Sequence, residues 1–444
     1  MLKKMASVAL VSSIVVSGAY VGMNETTAGA KKNSDEQFKN GKVKNVIYMI
    51  PDGFDASYAT NYRWFNGEDS SFDPHVKGLM KTYSADTEVT DSAAAGTAMA
   101  TGVKTNNGMV GVTPDGEEVD SILDAAERGK KATGLVATSR ITHATPAVFG
   151  ASVNARSNEA GIAPQYFQNG VDVLLGGGRD YFTSEEAGGK QPEGDLISKA
   201  KNDGYEYITN KEELLNAQGG KLLGLFAEGP MSPEMHRSET EEPSLSEMTT
   251  AAIGALEQDK DGFFLMVEGS QIDWAGHAHD AAWAMNDTKA FDEAVEAAIE
   301  YAKKDGNTLV VVAGDHETGG MSVGSNGQYD LNIDILHDVK ATGDYMVTKL
   351  NDDRSNLKEV VKEYTSLDLT EEEVAKIKSA EKTAIAINEV VSDRALIGWT
   401  STAHTGTDLP VYAFGPKSNK FHGLLENTDL PNIMAKVMKV DLKN

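Results

Sequence analysis

The stretch TLVVVAGDHETGG, residues 308–320, changes character at a single position. Up to Gly314 it is an unbroken apolar, β-branched run. From Asp315 it becomes Asp, His, Glu, Thr and two glycines. A strand with no polar alternation suits a parallel sheet covered on both faces, where neither side meets water. In open α/β sheets ligands sit beyond the carboxyl ends of the strands, which is where Asp315 and His316 fall. The same stretch therefore points to a fold class and to the place in it where chemistry belongs.

Five further runs share the pattern: NVIYMI (45–50), ATGLVAT (132–138), VDVLL (171–175), GFFLMV (262–267) and PVYAFG (410–415). Between them lie helical sequences. The longest, AAWAMNDTKAFDEAVEAAIEYAKKDG, carries Phe291, Val295 and Ile299 at i, i+4 spacing and stops at Gly306. Strand and helix in alternation predict an α/β fold with a large, mostly parallel central sheet sandwiched by helices. Residues 181 to about 250, rich in Glu, Gly, Lys and Pro, and residues 326 to about 400 break the pattern and read as peripheral insertions on one core. The second contains a capped acidic helix, Thr370 to Glu373 followed by VAKIK.

The first 30 residues differ in kind. Lys3 and Lys4 precede an apolar stretch and then small residues ending at Ala30, the layout of a cleaved secretory signal. Ser12, Ser13, Ser17 and Gly18 interrupt the stretch, which argues against a retained anchor. The expected product is residues 31–444 as a single exported domain, in the periplasm, at the cell surface or free, with no stable membrane span. The formal net charge of −26 repels nucleic acid and anionic lipid, so no nucleic-acid-binding surface is expected. There is no cysteine, which excludes disulfides and thiolate metal sites. Any metal must be held by His, Asp, Glu and hydroxyl groups.

Three of the runs deliver acidic or imidazole groups at their carboxyl ends. NVIYMI is followed by Asp52, GFFLMV by Glu268, Asp273 and His277, and TLVVVAG by Asp315 and His316. Gathered on one rim, these groups would repel one another unless cations neutralised them. Carboxylate and imidazole suit zinc, and carboxylate with water suits magnesium. Asp273 and His277 are four apart and share a face if a helical turn begins there. His279 would point away and reads as a surface or supporting residue. Ser92 opens the segment SAAAGTAMATG with no histidine nearby, so metal coordination is the economical way to activate its hydroxyl, and a helix N-terminus there would favour an anion. Gly320 to Gly324 fits G-x-S-x-G, but its strand has already ended and SNGQYDLN is a poor helix start, so it reads as a chance match.

Together VTDSAAAGTAMATGVKTNNG (89–108), THATPA (142–147), VEGSQIDWAGHAHDA (267–281), DHETGG (315–320) and HTGTDLPVYAFGP (404–416) resemble the signatures of the alkaline phosphatase family, in family order and over almost the whole exported chain. The resemblance implies hydrolysis of phosphate monoesters through a phosphoserine on Ser92. It implies two zinc (or cobalt) sites, one of Asp273, His277 and His404, the other of Asp52, Asp315 and His316 with the Ser92 Oγ. A third site, usually magnesium, would use Asp52, Thr145 and Glu268. Arg156 would grip two phosphate oxygens and Asp91 would hold that arginine; a homodimer is also implied. Thr145, Arg156 and His404 rest on the resemblance alone. Departures from the family pattern are Pro51, Phe54 and Asp55, the last adding a carboxylate near the site, and the pair Trp274 and His143, which bears on metal preference. Within enzymes the alternative is a phosphodiesterase, sulfatase or phosphonate hydrolase with the same metal core. From another class comes a non-catalytic metal- or phosphate-binding protein, which has no use for a nucleophile.

Overall fold

The computed structural model describes residues 41–443. In chain order its strands are β1 (Asn45–Pro51), β2 (Val76–Lys81), β3 (Ala132–Arg140), β4 (Val173–Gly177), β5 (Glu206–Ile208), β6 (Leu222–Leu225), β7 (Phe263–Gly269), β8 (Thr308–Ala313), β9 (Glu317–Thr318), β10 (His404–Thr405), β11 (Leu409–Phe414) and β12 (Gly423–Glu426). Ten of them form one sheet in the order β12-β2-β11-β8-β1-β7-β3-β4-β6-β5, and β9 pairs with β10 apart from it. All six apolar runs are strands of the large sheet. Seven neighbours from β8 to β5 are mutually parallel. β11 alone is antiparallel to both of its neighbours. Its composition does not distinguish it; its direction comes from its approach, because the chain reaches β11 from β10 at the carboxyl rim and must run away from that rim.

Alternate side chains of the central strands feed two cores. On β1, Ile47 and Met49 join one cluster while Val46, Tyr48 and Ile50 join the other. β8 divides in the same way, Val310 and Val312 against Leu309, Val311 and Ala313. Helix Ala281–Asp305 covers the first face with Phe291, Val295 and Ile299, as its periodicity predicts, and ends at Gly306 in a left-handed cap. The second face is closed partly by Ser92–Thr101, whose ten residues are all buried, packed on Ala144–Gly150. A Cβ at Gly96 would come within 2.9 Å of Val148 Cγ2, so glycine allows that close approach.

Residues 181–250 occupy the far edge, but they extend the sheet rather than decorate it: β6 pairs with β4 and β5 with β6, and helix Leu245–Leu256 packs Met248, Ala252 and Leu256 into the first core. Strands of three and four residues are too short to stand out in a polar stretch. Residues 326–400 hold four α-helices and a small core of their own around Leu357, Val361, Ile377 and Ile387. The Thr370–Glu373 capping box forms as the sequence predicts. The expected signal segment, residues 1–30, lies outside the described residues.

The sheet order puts β1 between β7 and β8, so three neighbouring strands end side by side. Gly53, just past β1, has φ +77°, and a Cβ there would lie 2.6 Å from Asp273 Cα. Gly53→Ala is therefore expected to cost about 3 kcal/mol through left-handed strain and overpacking, and to push Asp52 away from Asp273. Urea denaturation and turnover measured together check this; unchanged values of both would contradict the close approach.

Candidate functional site

The parallel register aligns the ends of the three central strands. Glu268 of β7 stands opposite Ile50 of β1, two residues before Asp52, and β8 ends two residues before Asp315. Asp52, Glu268, Asp315 and His316 are all fully buried. The fold ties one oxygen of each carboxylate. Asp315 Oδ1 accepts from the N–H of Gly53 at 3.1 Å and of His316 at 2.9 Å. Asp52 Oδ2 accepts from Thr145 Oγ1 at 3.4 Å, and Glu268 Oε2 from Ser139 Oγ at 3.3 Å. The other oxygens, Asp52 Oδ1, Asp315 Oδ2 and Glu268 Oε1, receive no hydrogen bond among the described residues. His316 Nε2 lies 3.1 Å from Ser92 Oγ, 3.2 Å from Asp315 Oδ2 and 3.5 Å from Asp52 Oδ1. One ring nitrogen cannot satisfy three oxygens.

Beside this group, helix Gln271–His277 carries Asp273 and His277 on one face, as their spacing predicts. His404 arrives from far along the chain because β10 pairs with β9, setting His404 opposite Thr318. Asp273 Oδ1 lies 3.4 Å from His277 Nε2 and 3.5 Å from His404 Nε2, and it accepts from Thr318 Oγ1. The two Nε2 atoms are 3.2 Å apart. Each ring has its Nδ1 beside a backbone carbonyl, Thr402 O at 2.8 Å and Thr90 O at 2.9 Å. Donation from Nδ1–H fixes the tautomer and turns two bare Nε2 lone pairs toward each other, an arrangement that a shared cation stabilises.

Ser92 is the first residue of helix Ser92–Thr101, and its N-cap is Asp91, whose Oδ1 accepts from Ala94 N at 2.9 Å. The serine is thereby spared capping duty and its Oγ faces His316. Asp91 Oδ2 accepts from Arg156 Nη1 at 3.0 Å and from Gly108 N at 3.0 Å, so one carboxylate both caps the helix and holds the guanidinium. Arg156 Nη2 lies 3.1 Å from His143 Nε2. His143 packs edge-on against Trp274, with ring centroids 5.9 Å apart.

Electrostatics agree with the geometry. Burial first, then the charges of Asp315, Asp273 and Glu268, push Asp52 well above the usual carboxylate range. Burial drives Glu268 up to about 7 and Asp315 up to about 6. Burial and the neighbouring His404 press His316 well below an ordinary histidine. Burial also lifts Asp273, but His277 and His404 outweigh it and hold it low. The tethered oxygens, the bare oxygens and the paired lone pairs fit divalent cations, and three donor groups converge closely enough to hold them: Asp273, His316 and His404; Asp52, Asp315 and His316; and Asp52, His143 and Glu268. Divalent cations held there, with Arg156 beside them, would turn this acidic cluster into a pocket that admits an anion to a strongly acidic protein.

Two of the sequence expectations change. Asp55 does not enter the site; it caps helix Ala56–Asn66, accepting from the N–H groups of Ser57 and Tyr58. His143, expected only to influence metal preference, stands among the possible ligands beside Asp52 and Glu268. The threonines beside it in THATPA give no hint of that; its meeting with Asp52 and Glu268, far away in the chain, is a tertiary fact. His279 is buried in a supporting role, stacked on Trp399 and 2.9 Å from Ser401 O. Ser322 of the G-x-S-x-G match donates to Gly324 O and accepts from Gly398 N, so its hydroxyl ties two loops together.

Residues 43–440 match the family model described as alkaline phosphatase. Alkaline phosphatase 4 of Bacillus subtilis (strain 168) is 40% identical, the match covering 99% of this chain and 97% of that one. Alkaline phosphatase 3 of the same organism is 41% identical over 99% and 98%. Among solved structures, the alkaline phosphatase of Thermus thermophilus superposes with a TM-score of 0.84 at 29% identity, covering 96% of each chain. The cold-active enzyme of the psychrophile Shewanella sp. gives 0.81 at 33% identity, covering 89% of this chain and 99% of that one.

The acid cluster makes metal-free stability depend on pH. Asp52, Glu268 and Asp315 have folded pKa values above the unfolded value of about 4, so the folded chain keeps protons that the unfolded chain has lost. The contribution of Glu268 and Asp315 is lost as pH rises from about 4 through 7, and those of Asp52, His277 and His404, all raised, also fall as pH rises through their folded values; His143 and His316, both lowered, oppose this in part. Divalent ions replace the missing protons. The gain in Tm on adding them to chelated protein is expected to be larger at pH 8 than at pH 5.5 by roughly 5 °C or more. Equal gains by calorimetry at both pH values would refute the reading.

Proposed function

The chain belongs to the alkaline phosphatase family and hydrolyses phosphate monoesters, and from that premise we propose that Ser92 is the nucleophile and forms a phosphoserine. The observation that carries this is the position of Ser92 Oγ, freed from capping by Asp91 and 3.1 Å from His316 Nε2 at the edge of the ligand cluster. Asp273, His277 and His404 would hold one zinc (or cobalt) ion, and Asp52, Asp315 and His316 a second. Their imidazole and carboxylate donors suit that metal. Asp52, Thr145 and Glu268 offer oxygen donors for a magnesium ion. A histidine-to-aspartate variant of the alkaline phosphatase of the Antarctic bacterium TAB5 has magnesium in its M3 site, in keeping with a third site of this kind. When bound, the ions supply Lewis-acid charge that lowers the pKa of a hydroxyl or a water and offsets charge on a departing oxygen.

The chain's own groups do the rest. Arg156, braced by Asp91, presents its guanidinium to two phosphate oxygens, a fork that lysine cannot copy. The N–H groups at the start of Ser92–Thr101 face the same anion. Ser92 Oγ attacks phosphorus in line; the Oγ–P bond forms, the ester P–O bond breaks, and the departing oxygen takes up the proton that the Ser92 hydroxyl gives up, so that the alcohol leaves on the side of His277 and His404. A water entering on that side then attacks phosphorus, the Oγ–P bond breaks, Ser92 regains a proton and inorganic phosphate departs. No observation favours diesters, sulfate esters or phosphonates over monoesters.

Two wider readings belong to the same proposal. Export follows cleavage near Ala30, and among the described residues no helix is long and apolar enough to cross a membrane. A homodimer is supported by the edge of the sheet, where the register partners Leu79 and Leu424 are 45% and 57% exposed. Leu424→Lys is expected to shift sedimentation from dimer to monomer, and an unchanged profile would move the interface elsewhere.

Ser92→Ala should abolish phosphoenzyme labelling and lower kcat by on the order of 10³ or more while metal content stays intact. Arg156→Ala should lower kcat/KM by about 10²-fold, the worth of two charge-assisted hydrogen bonds. Persistent labelling of Ser92→Ala after a burst with a chromogenic monoester would refute the assignment. Metal analysis with chelation and add-back of zinc, cobalt or magnesium tests the ions.

A further inference from the structure

A cavity of about 600 Å³ opens beside the metal centre, walled by Trp274, His277, Trp283, Val347 and Ile385. It shares His277 with the site. One nitrogen of that ring faces Asp273 and His404, and the ring also borders the cavity. Trp274 continues the wall: it follows Asp273 in the chain and packs on His143, which touches Arg156. The phosphate grip and the cavity are thus separated by one aromatic wall, on the side where the alcohol leaves.

Resting on the phosphatase reading, we propose that this cavity is a leaving-group subsite that takes an aromatic or otherwise apolar alcohol portion of the monoester. Two indoles with Val347 and Ile385 offer a planar group apolar contact and stacking. Helix Ala281–Asp305 supplies Trp283 as a buried floor, while Val347 and Ile385 come from the 326–400 segment, which gives that segment a part in substrate choice. The cavity is also lined by Asp344 and Glu381 against the single cation Lys382. That balance disfavours a polyanionic leaving group.

The test compares two monoesters whose alcohols have like acidity, 2-(2-naphthyl)ethyl phosphate and ethyl phosphate, on the metal-loaded enzyme. The wild type is expected to prefer the naphthyl ester by about 10-fold or more in kcat/KM, chiefly through KM, and Val347→Ala/Ile385→Ala to lose most of that ratio. A purely structural defect would lower both substrates together and leave the ratio alone. Independently, 2-(4-nitrophenyl)ethanol should quench tryptophan emission saturably in the wild type and several-fold more weakly in the double variant. A wild-type ratio within twofold of unity, together with unsaturable quenching, overturns the subsite even though ethyl phosphate is hydrolysed. If ethyl phosphate is not hydrolysed at all, the phosphatase reading fails instead, and saturable quenching alone then decides for or against the cavity.

Discussion

Three carboxylates buried together, Asp52, Glu268 and Asp315, set the terms for the rest of the molecule. Isolated anions do not survive in a dry interior; they take up protons, find partners or bind cations. Here the chain satisfies one oxygen of each with a backbone N–H or a hydroxyl and leaves the other bare. That division orients the ligands before any ion arrives, because each tethered oxygen fixes the rotamer of its partner. It also explains why burial raises these acids rather than simply destabilising the fold: near their own pKa they hold protons that a metal can displace.

The sheet makes this concentration of charge possible. Parallel neighbours end on one side, so β7, β1 and β8 present their post-strand residues together, and the two apolar cores beneath hold the strand ends in register. The rim is then completed from a distance. β10 clips onto β9 and brings His404 to Asp273, while Glu317, adjacent to His316, secures the clip through Thr405 and the N–H groups of Gly320 and Met321. Glu317 thus differs in role from its neighbours: its carboxylate braces a loop while theirs face the centre.

On the opposite wall, Asp91 resolves a conflict between helix and chemistry. A serine at the head of a helix usually serves as its cap. With the aspartate one residue earlier taking that task and gripping Arg156 as well, one carboxylate fixes both the helix that begins at Ser92 and the guanidinium. The cavity past His277 and Trp274 is lined in part by Val347 and Ile385, so the 326–400 segment, which has a small core of its own, reaches the neighbourhood of the site.

By itself the sequence determined the fold class and pointed to most of the candidate ligands. Unbroken apolar runs alternating with helical sequence fit strands covered on both faces, and acids that follow parallel strands fall on their carboxyl rim; Asp52, Glu268, Asp273, His277, Asp315 and His316 were legible as candidates on those grounds. Thr145, Arg156 and His404 were legible only through the family resemblance, since a turn hydroxyl, a solvated arginine and a loop histidine look the same wherever they sit. The reversed direction of β11, the edge strands β5 and β6 in a polar stretch and the meeting of His143 with Asp52 and Glu268 were decided by tertiary structure alone. Local pattern records which residues avoid water and which prefer turns. Strand direction, short edge pairing and the meeting of side chains hundreds of residues apart are set by packing, which leaves no mark in any single stretch of chain.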